Sequence, residues 1–260
     1  MLKELYTAAL GMMPQQTRLE VIANNLSNAN TAGFKKESVF ERNLIDARAN
    51  FYNVPGDTEQ DDPPYGSYIS FDSGAFQKTD NPLDIAIENS KAFFFVQDVD
   101  GNEFLTKSGN FTLNSDGAIT TMDGKFLLGQ DGPIKVQSEF SIDPLTTSNS
   151  QAVKITITEN GEVFANETNL GHLKLVEVDN LNSLQRISNA NFVVTGDTEI
   201  KFLSEEEILV RQGWLEGSNV DIIKEMVEMI ELQRMYELGS RVIQTNNATL
   251  DNSIRLGRFV

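Results

Sequence analysis

The chain has 260 residues, 40% of them apolar, with no cysteine, a single histidine and a formal net charge of −17 at pH 7. The missing cysteines exclude disulfides, thiolate metal sites and a cysteine nucleophile. The charge argues against nucleic acid, whose phosphates are bound by Lys and Arg, and against anionic membrane surfaces.

The apolar share is enough for a real core. No apolar run approaches the roughly 18 residues of a transmembrane helix, so no direct membrane insertion is expected. The N-terminus also lacks the apolar h-region and small-residue cleavage site of a secretory signal. A chain exported without a cleaved signal is expected to look like this, and so is a cytosolic one.

Apolar side chains recur near the N-terminus at Leu2, Leu5, Ala9, Met12, Leu19, Ala23 and Leu26, with Gln16 the polar member. Alternating steps of three and four keep one helix face toward a partner. Asn30 and Gly33 tolerate left-handed backbone and are expected to end this helix. Pro14 has no N–H for the carbonyl of Leu10 and disfavours helix at Met13. Either the helix kinks there, or the first dozen residues form a separate short helix. Residues 1–33 are therefore an N-terminal helical segment.

Residues 34–75 are polar and include Pro55-Gly56-Asp57 and Asp61-Asp62-Pro63-Pro64. They read as an extended connector with little structure of its own. From 76 to 203 the pattern changes to short β-like runs. Val153, Ile155 and Ile157 alternate with Lys154, Thr156 and Thr158, which is the period of a half-buried strand. Phe93 to Val96 is a continuous apolar run suited to a strand buried on both faces, and Leu173, Leu175 and Val178 mark another. Asp100-Gly101, Asp116-Gly117, Asp123-Gly124, Asp131-Gly132 and Asn160-Gly161 are hairpin-turn dipeptides whose central residues need positive φ. The central body reads as an antiparallel β-domain.

An acidic return link spans 204–217, and a C-terminal helix spans 218–260. Ser218 with Asp221 fits a capping box, which predicts a helix start near Asn219. The seam of this helix reads Ile222, Met226, Met229, Gln233, Tyr236, Ser240, Ile243, Asn247, Leu250 and Ile254. It is rich in Met and partly polar, so it suits a contact that forms within a crowded assembly. Both terminal helices packing only on the central body is the simpler alternative.

Signs of catalytic chemistry are missing. His172 has no partner constellation and no nucleophile elbow nearby, so it is read as a structural or surface residue. Asp98, Asp100 and Glu103 have the wrong spacing for an EF-hand and fit a hairpin turn instead. The glycines stand singly, in turns, with no phosphate loop. No catalytic, cofactor-binding or metal residue is assigned, and no enzyme activity is expected.

Specific strings carry a resemblance. Ala23-Asn24-Asn25-Leu26-Ser27-Asn28-Ala29-Asn30-Thr31-Ala32-Gly33-Phe34-Lys35 closely resembles the N-terminal signature of the bacterial flagellar rod, hook and hook-associated proteins. Leu5-Tyr6-Thr7-Ala8-Ala9 precedes it in the same manner. Gln212-Gly213-Trp214-Leu215-Glu216-Gly217-Ser218-Asn219-Val220-Asp221 is similar to the C-terminal entry motif of that family. Asn81-Pro82-Leu83-Asp84-Ile85-Ala86-Ile87 and Ser108-Gly109-Asn110-Phe111-Thr112-Leu113 resemble its β-domain. Within the family, Leu127-Leu128-Gly129-Gln130-Asp131-Gly132-Pro133-Ile134 is most similar to proximal rod subunits. The N-terminal Gly11-Met12 and Val21 to Asn25 lean toward distal ones. The Asn89-Ser90-Lys91-Ala92 segment departs from the family, replacing a Gly-rich turn.

The resemblance implies an α+β fold. A discontinuous helical coiled-coil region comes from the two termini, and a central, mainly antiparallel β-domain lies between them. It implies a structural subunit of the basal-body rod that self-assembles through its terminal helices into the tube transmitting torque from motor to hook. Implied partners are further copies, other rod and hook subunits and the flagellar type III export apparatus, with the rod lying in the periplasm. The expected assembly residues are Leu5, Met12, Leu19, Asn24, Asn25, Leu26, Ile222, Met226, Met229, Tyr236, Ile243 and Leu250. The terminal helices are expected to be mobile in the monomer and to order on assembly. A β-domain that binds calcium or carbohydrate, flanked by oligomerising helices, is the alternative reading.

Overall fold

The computed structural model describes residues 2–41, 65–136, 154–188, 190–196 and 198–257. The chain divides into two compact units: Met1–Ala29, Lys36–Ser70 and Val220–Val260 form the first, and Asn30–Lys35 with Phe71–Asn219 form the second.

The first unit holds two helices that pack on one another, α1 (Leu2–Ser27) and α2 (Ile222–Gly257). α1 runs unbroken through Pro14, so the separate short helix is not formed. One lost i→i−4 hydrogen bond and a ring clash cost about 3 kcal/mol, a penalty that packing along α2 offsets. The end of α1 is tied by Asn28, whose backbone N–H reaches the Asn24 carbonyl at 3.1 Å and whose Nδ2 donates to the same carbonyl and to Asn24 Oδ1 at 3.0 Å. Gly33 takes the expected left-handed backbone at φ +70°, whereas Asn30 does not.

α2 starts at Ile222, later than the capping-box pattern implies. Asp221 is the cap: its Oδ1 accepts from the Ile223 and Lys224 backbone N–H groups at 3.1 and 3.2 Å. Those bonds, led by the Lys224 N–H, hold the Asp221 carboxyl below its ordinary range. With 36 residues at about 1.5 Å each, α2 is roughly 54 Å long.

The expected connector is not featureless. Its ends form strands Glu37–Glu41 and Tyr65–Ile69, paired antiparallel from Glu37↔Ile69 to Glu41↔Tyr65. Residues 42–64, including Pro55-Gly56-Asp57 and Asp61 to Pro64, lie outside the described residues.

The second unit is built on an antiparallel sheet. Its main path runs Leu184–Ser188, Asn191–Val194, Glu103–Thr106, Ala92–Gln97, Phe126–Gly129, Ile119–Thr121, Phe111–Leu113. Strand Leu175–Val178 also pairs with Ala92–Gln97 and carries Ile200–Phe202 on its other edge. Ala92–Gln97 is thus central, and its residues from Ala92 to Val96 are all buried, as the unbroken apolar run implies. A three-stranded sheet, Ile155–Ile157, Glu162–Ala165 and Thr168–His172, packs its Ile155, Ile157 and Val163 into the same core as Phe94, Leu127 and Leu175. The return link is likewise more ordered than expected. Val210–Gln212 pairs with Ile85–Ile87, and Trp214–Glu216 pairs with Phe76–Lys78.

One turn design recurs. In Asp98–Asn102, Asn114–Ala118, Thr121–Lys125 and Thr158–Glu162, the glycine N–H bonds the carbonyl three residues back. The first residue's N–H in each bonds the carbonyl four residues on. Gly101, Gly117, Gly124 and Gly161 all have positive φ, but the Asp or Asn before each does not. These are therefore not the doubly left-handed two-residue turns the dipeptides suggest. A glycine bulge closes each one, with the strain confined to the residue lacking a Cβ.

Candidate assembly site

In the first unit the signature residue Asn25 is buried, not exposed. Its Nδ2 donates to the Glu37 carbonyl at 2.8 Å and to Glu225 Oε2 at 3.1 Å, and its Oδ1 accepts from the Glu37 N–H at 3.0 Å. An amide that both donates to and accepts from one peptide group fixes α1 against the strand at Glu37. Its remaining bond reaches α2. Glu225 is 1% exposed, and Lys36 Nζ lies 2.5 Å from its Oε1. This polar junction joins α1, the strand and α2 within the unit, and burying it demands that each group keep its partner.

The second unit holds the other half of the two signature strings. Lys35, fully buried, places Nζ 2.7 Å from Glu216 Oε1 and 2.9 Å from the Asp72 carbonyl. The Gly74 N–H donates to the same carboxylate oxygen at 3.0 Å, and the Gly33 N–H bonds the Glu216 carbonyl at 2.8 Å. Glycine is required for these approaches: a Cβ on Gly33 would stand 2.4 Å from the Lys107 carbonyl carbon, and one on Gly74 would stand 2.0 Å from the Gly217 oxygen. The Arg186 guanidinium covers the Phe34 ring at 4.4 Å and donates to the Lys35 carbonyl.

Lys107 is also buried. Its Nζ donates to the Asn89 carbonyl at 2.8 Å and lies 5.0 Å from the Phe93 ring centre. Burial lowers its pKa to about 7, with Glu216 opposing and Lys35 adding to the shift.

The predicted assembly residues divide into three groups. Leu5, Met12 and Leu250 have side chains outside the described residues. Leu19, Leu26, Met229 and Ile243 are half-buried, and Asn25 is internal. Asn24, Ile222, Met226 and Tyr236 are exposed, the last three by 40%, 49% and 40%. The inward side of α2 runs through Glu225, Met229, Leu232, Gly239, Ile243 and Asn246, so it is rotated from the predicted seam at its first turns. The rotation follows from Glu225, a charged residue that a hydrophobic count assigns to solvent. α2 leaves further apolar side chains on its other faces: Ile223, Val227, Ile230, Met235, Leu238 and Val242 are each at least 47% exposed.

Sequence reasoning missed Glu225 and Lys107, and it quoted Lys35 and Glu216 without giving them a role. The available signal was positional. Glu225 shares a face with Met229 and Leu232, and Lys35 and Glu216 each lie within two residues of a glycine in their strings.

Three family descriptions match the chain. Residues 5–35 match flagella basal body rod protein, residues 86–165 match the flagellar hook protein FlgE/F/G D1 domain, and residues 211–256 match flagellar basal body rod FlgEFG protein C-terminal. Flagellar basal-body rod protein FlgG of Borreliella burgdorferi is 33% identical, over 99% of this chain and 100% of its own length. The FlgG protein of Agrobacterium fabrum is 31% identical over 94% and 95%. Flagellar basal-body rod protein FlgF of Caulobacter vibrioides is 30% identical over 98% of each. The matched segments cover most of both helices, part of the β-unit and the junction residues Asn25, Lys35, Lys107, Glu216 and Glu225, and the relatives align over nearly their full lengths. The chain belongs to the flagellar basal-body rod protein family and is a structural subunit of the rod in the bacterial basal body.

Proposed function

We propose that the chain assembles through α1 and α2, which continue as a coiled-coil pair and contact neighbouring rod and hook subunits with the faces of α2 left open in the single chain. The observation that supports this is the spread of exposed apolar residues on α2. Ile222, Ile223, Met226, Val227 and Ile230 cover its first turns on sides away from Glu225 and Leu232. A helix with apolar residues beyond its inward stripe is suited to more than one neighbour. The terminal helices gain their full order on assembly, when those neighbours arrive.

In this reading the subunit sits in the proximal rod, on the strength of the Leu127 to Ile134 string. It reaches the periplasm through the flagellar type III export apparatus without a cleaved signal. It carries out no catalysis, uses no cofactor and binds no nucleic acid.

The test is Met226→Glu with Ile230→Glu in the chromosomal copy. Expected is loss of motility and truncated rods in purified basal bodies, while the isolated variant keeps the wild-type urea midpoint. Motile cells with full-length rods would overturn the assignment of α2 as the assembly surface. In a deletion strain, a rod truncated at its base supports the proximal position, and one truncated near the hook rejects it.

A further inference from the structure

In the second unit the buried charges beside the Asn30–Lys35 strap are unbalanced in a way the assembly reading does not use, while the other buried carboxylate, Asp84, is held by the Asn81 amide. Two ammonium groups, Lys35 and Lys107, face one carboxylate, Glu216. Lys35 takes the short contact with it, at 2.7 Å. Lys107 is left with a neutral carbonyl, Asn89, and an aromatic ring, Phe93. The surroundings of Lys107 come from four segments. Asn30–Lys35 contributes the Lys35 charge, Trp214–Glu216 contributes Glu216, strand Ala92–Gln97 contributes the Phe93 ring, and the turn before that strand contributes the Asn89 carbonyl.

The Asn30–Lys35 strap also rests directly on the backbone of Lys107. An ideal Cβ on Gly33 would lie 2.4 Å from both Lys107 C and Ser108 N. Whatever moves Lys107 therefore moves the strap.

We propose that this cluster is a proton-operated lock on the Asn30–Lys35 strap: loss of the Lys107 proton seats the strap, and return of the proton loosens it. With Lys107 neutral, Lys35 and Glu216 form a balanced pair, and a neutral amine still donates to the Asn89 carbonyl. With Lys107 charged, a second cation is held in the same buried space without a carboxylate of its own, a costly arrangement. The sign follows from the folded value of about 7 against the ordinary 10.5. A lowered lysine pKa favours the closed strap as pH rises from the folded value toward the unfolded one. The change falls near neutral pH, where the exposed lysines of the chain stay fully charged.

The test uses the full-length protein and amide hydrogen exchange at Gly33 and Phe34, corrected for intrinsic rates. If opening of the strap frees Lys107, the opening constant falls about fivefold from about pH 7 to 8 and nearly tenfold from about pH 8 to 9. Lys107→Met, which keeps the apolar stem and removes the charge, is expected to flatten this dependence. Lys91→Met, at an exposed position, is expected to preserve it. A dependence that survives in Lys107→Met, or a flat wild-type profile, overturns the proposal. Should Lys107→Met fail to fold, titration of the lysine side-chain carbons by NMR in the wild-type chain decides the matter. One lysine with a midpoint near neutral supports the lock, and all lysine midpoints above about 9 reject it.

Discussion

Three glycines separate two reasons for which glycine is kept, and substituting each with alanine tests the packing around the strap. Gly101 has φ +88° and nothing within 4 Å of an ideal Cβ. Alanine there meets only the left-handed penalty of about 1–2 kcal/mol, reduced by about 0.4–1 kcal/mol through the stiffer unfolded chain. The expected loss is about 1 kcal/mol. Gly109 has ordinary φ, but its Cβ would stand 1.7 Å from the Ile85 oxygen, in backbone that cannot rotate away. The cost is overpacking alone, about 3 kcal/mol. Gly33 carries both burdens, with φ +70° and contacts of 2.4 Å, 2.4 Å and 2.5 Å to the backbone of Lys107 and Ser108. Its alanine variant is expected to lose about 3–4 kcal/mol. Urea unfolding followed by fluorescence reads these losses, because the single tryptophan, Trp214, lies in the strand that ends at Glu216. If Gly33→Ala falls within about 0.5 kcal/mol of Gly101→Ala, the close seating of the strap on Lys107 is wrong.

Other variants address the buried junctions and the exposed pairs. Glu216→Gln leaves Lys35 charged and buried, and its urea midpoint is expected to record a loss of about 3–5 kcal/mol; pairing it with Lys35→Met should recover part of that loss, because the lone cation is gone. Asn25→Ala removes three hydrogen bonds from buried groups and is expected to cost about 2–4 kcal/mol, read from the helical circular dichroism signal during unfolding. Glu207 is held down to about 2, first by its bond with the Lys201 ammonium and then by the Ser204 backbone and hydroxyl. Its contribution is present above the ordinary 4.5 and is lost as pH falls toward about 2; NMR titration should find it ionised when the free carboxylates are already protonated, and Lys201→Met should return it toward 4.5.

How much of this was legible in the sequence depended on whether a residue obeyed its own average. Phe93 to Val96 behaves as an apolar run should, and its strand pairs with three others in the sheet. Ile155 and Ile157 show the period of two and point inward. The glycine of each turn dipeptide takes positive φ as required, but the type of turn depends on hydrogen bonds reaching four residues along the chain, which no dipeptide encodes. The connector was misread because its strands are short and polar. Glu37–Glu41 and Tyr65–Ile69 have no apolar alternation, and each is held by the other across a long sequence separation. The same holds for Val210–Gln212 and Trp214–Glu216, whose partners lie over 120 residues earlier. Pro14 shows the opposite error. A local rule was correct about its cost and silent about the long partner helix that offsets it.

The largest gap concerned the signature strings themselves. Their polar residues look like contacts for neighbouring subunits, because an exposed Asn or Lys is the usual case. The structure turns Asn25, Asn28, Lys35 and Glu216 inward, while Asn24 and Asn30 stay exposed. Asn25 answers to Glu37 and Glu225 in one unit, and Lys35 answers to Glu216 and Asp72 in the other. These groups therefore fix the shape of the single chain, and in the proposed assembly they act through that shape. A buried charge pair adds little net stability over apolar residues of the same volume, but losing one member is severe. Such pairs suit positions where one arrangement must be chosen over near alternatives, which is what the proposed assembly through α1 and α2 would require. The exposed residues proposed to make subunit contacts are less distinctive in sequence: Ile223, Met226, Val227 and Ile230 form no recognisable motif and any large apolar residue would resemble them. It follows that exchanges among large apolar residues on the outer faces of α2 should retune partner fit while the monomer stays intact, whereas even conservative changes at Asn25, Lys35, Glu216 or Glu225 should first appear as a folding defect. A variant such as Glu225→Gln that keeps its unfolding midpoint yet abolishes motility would contradict this division of labour.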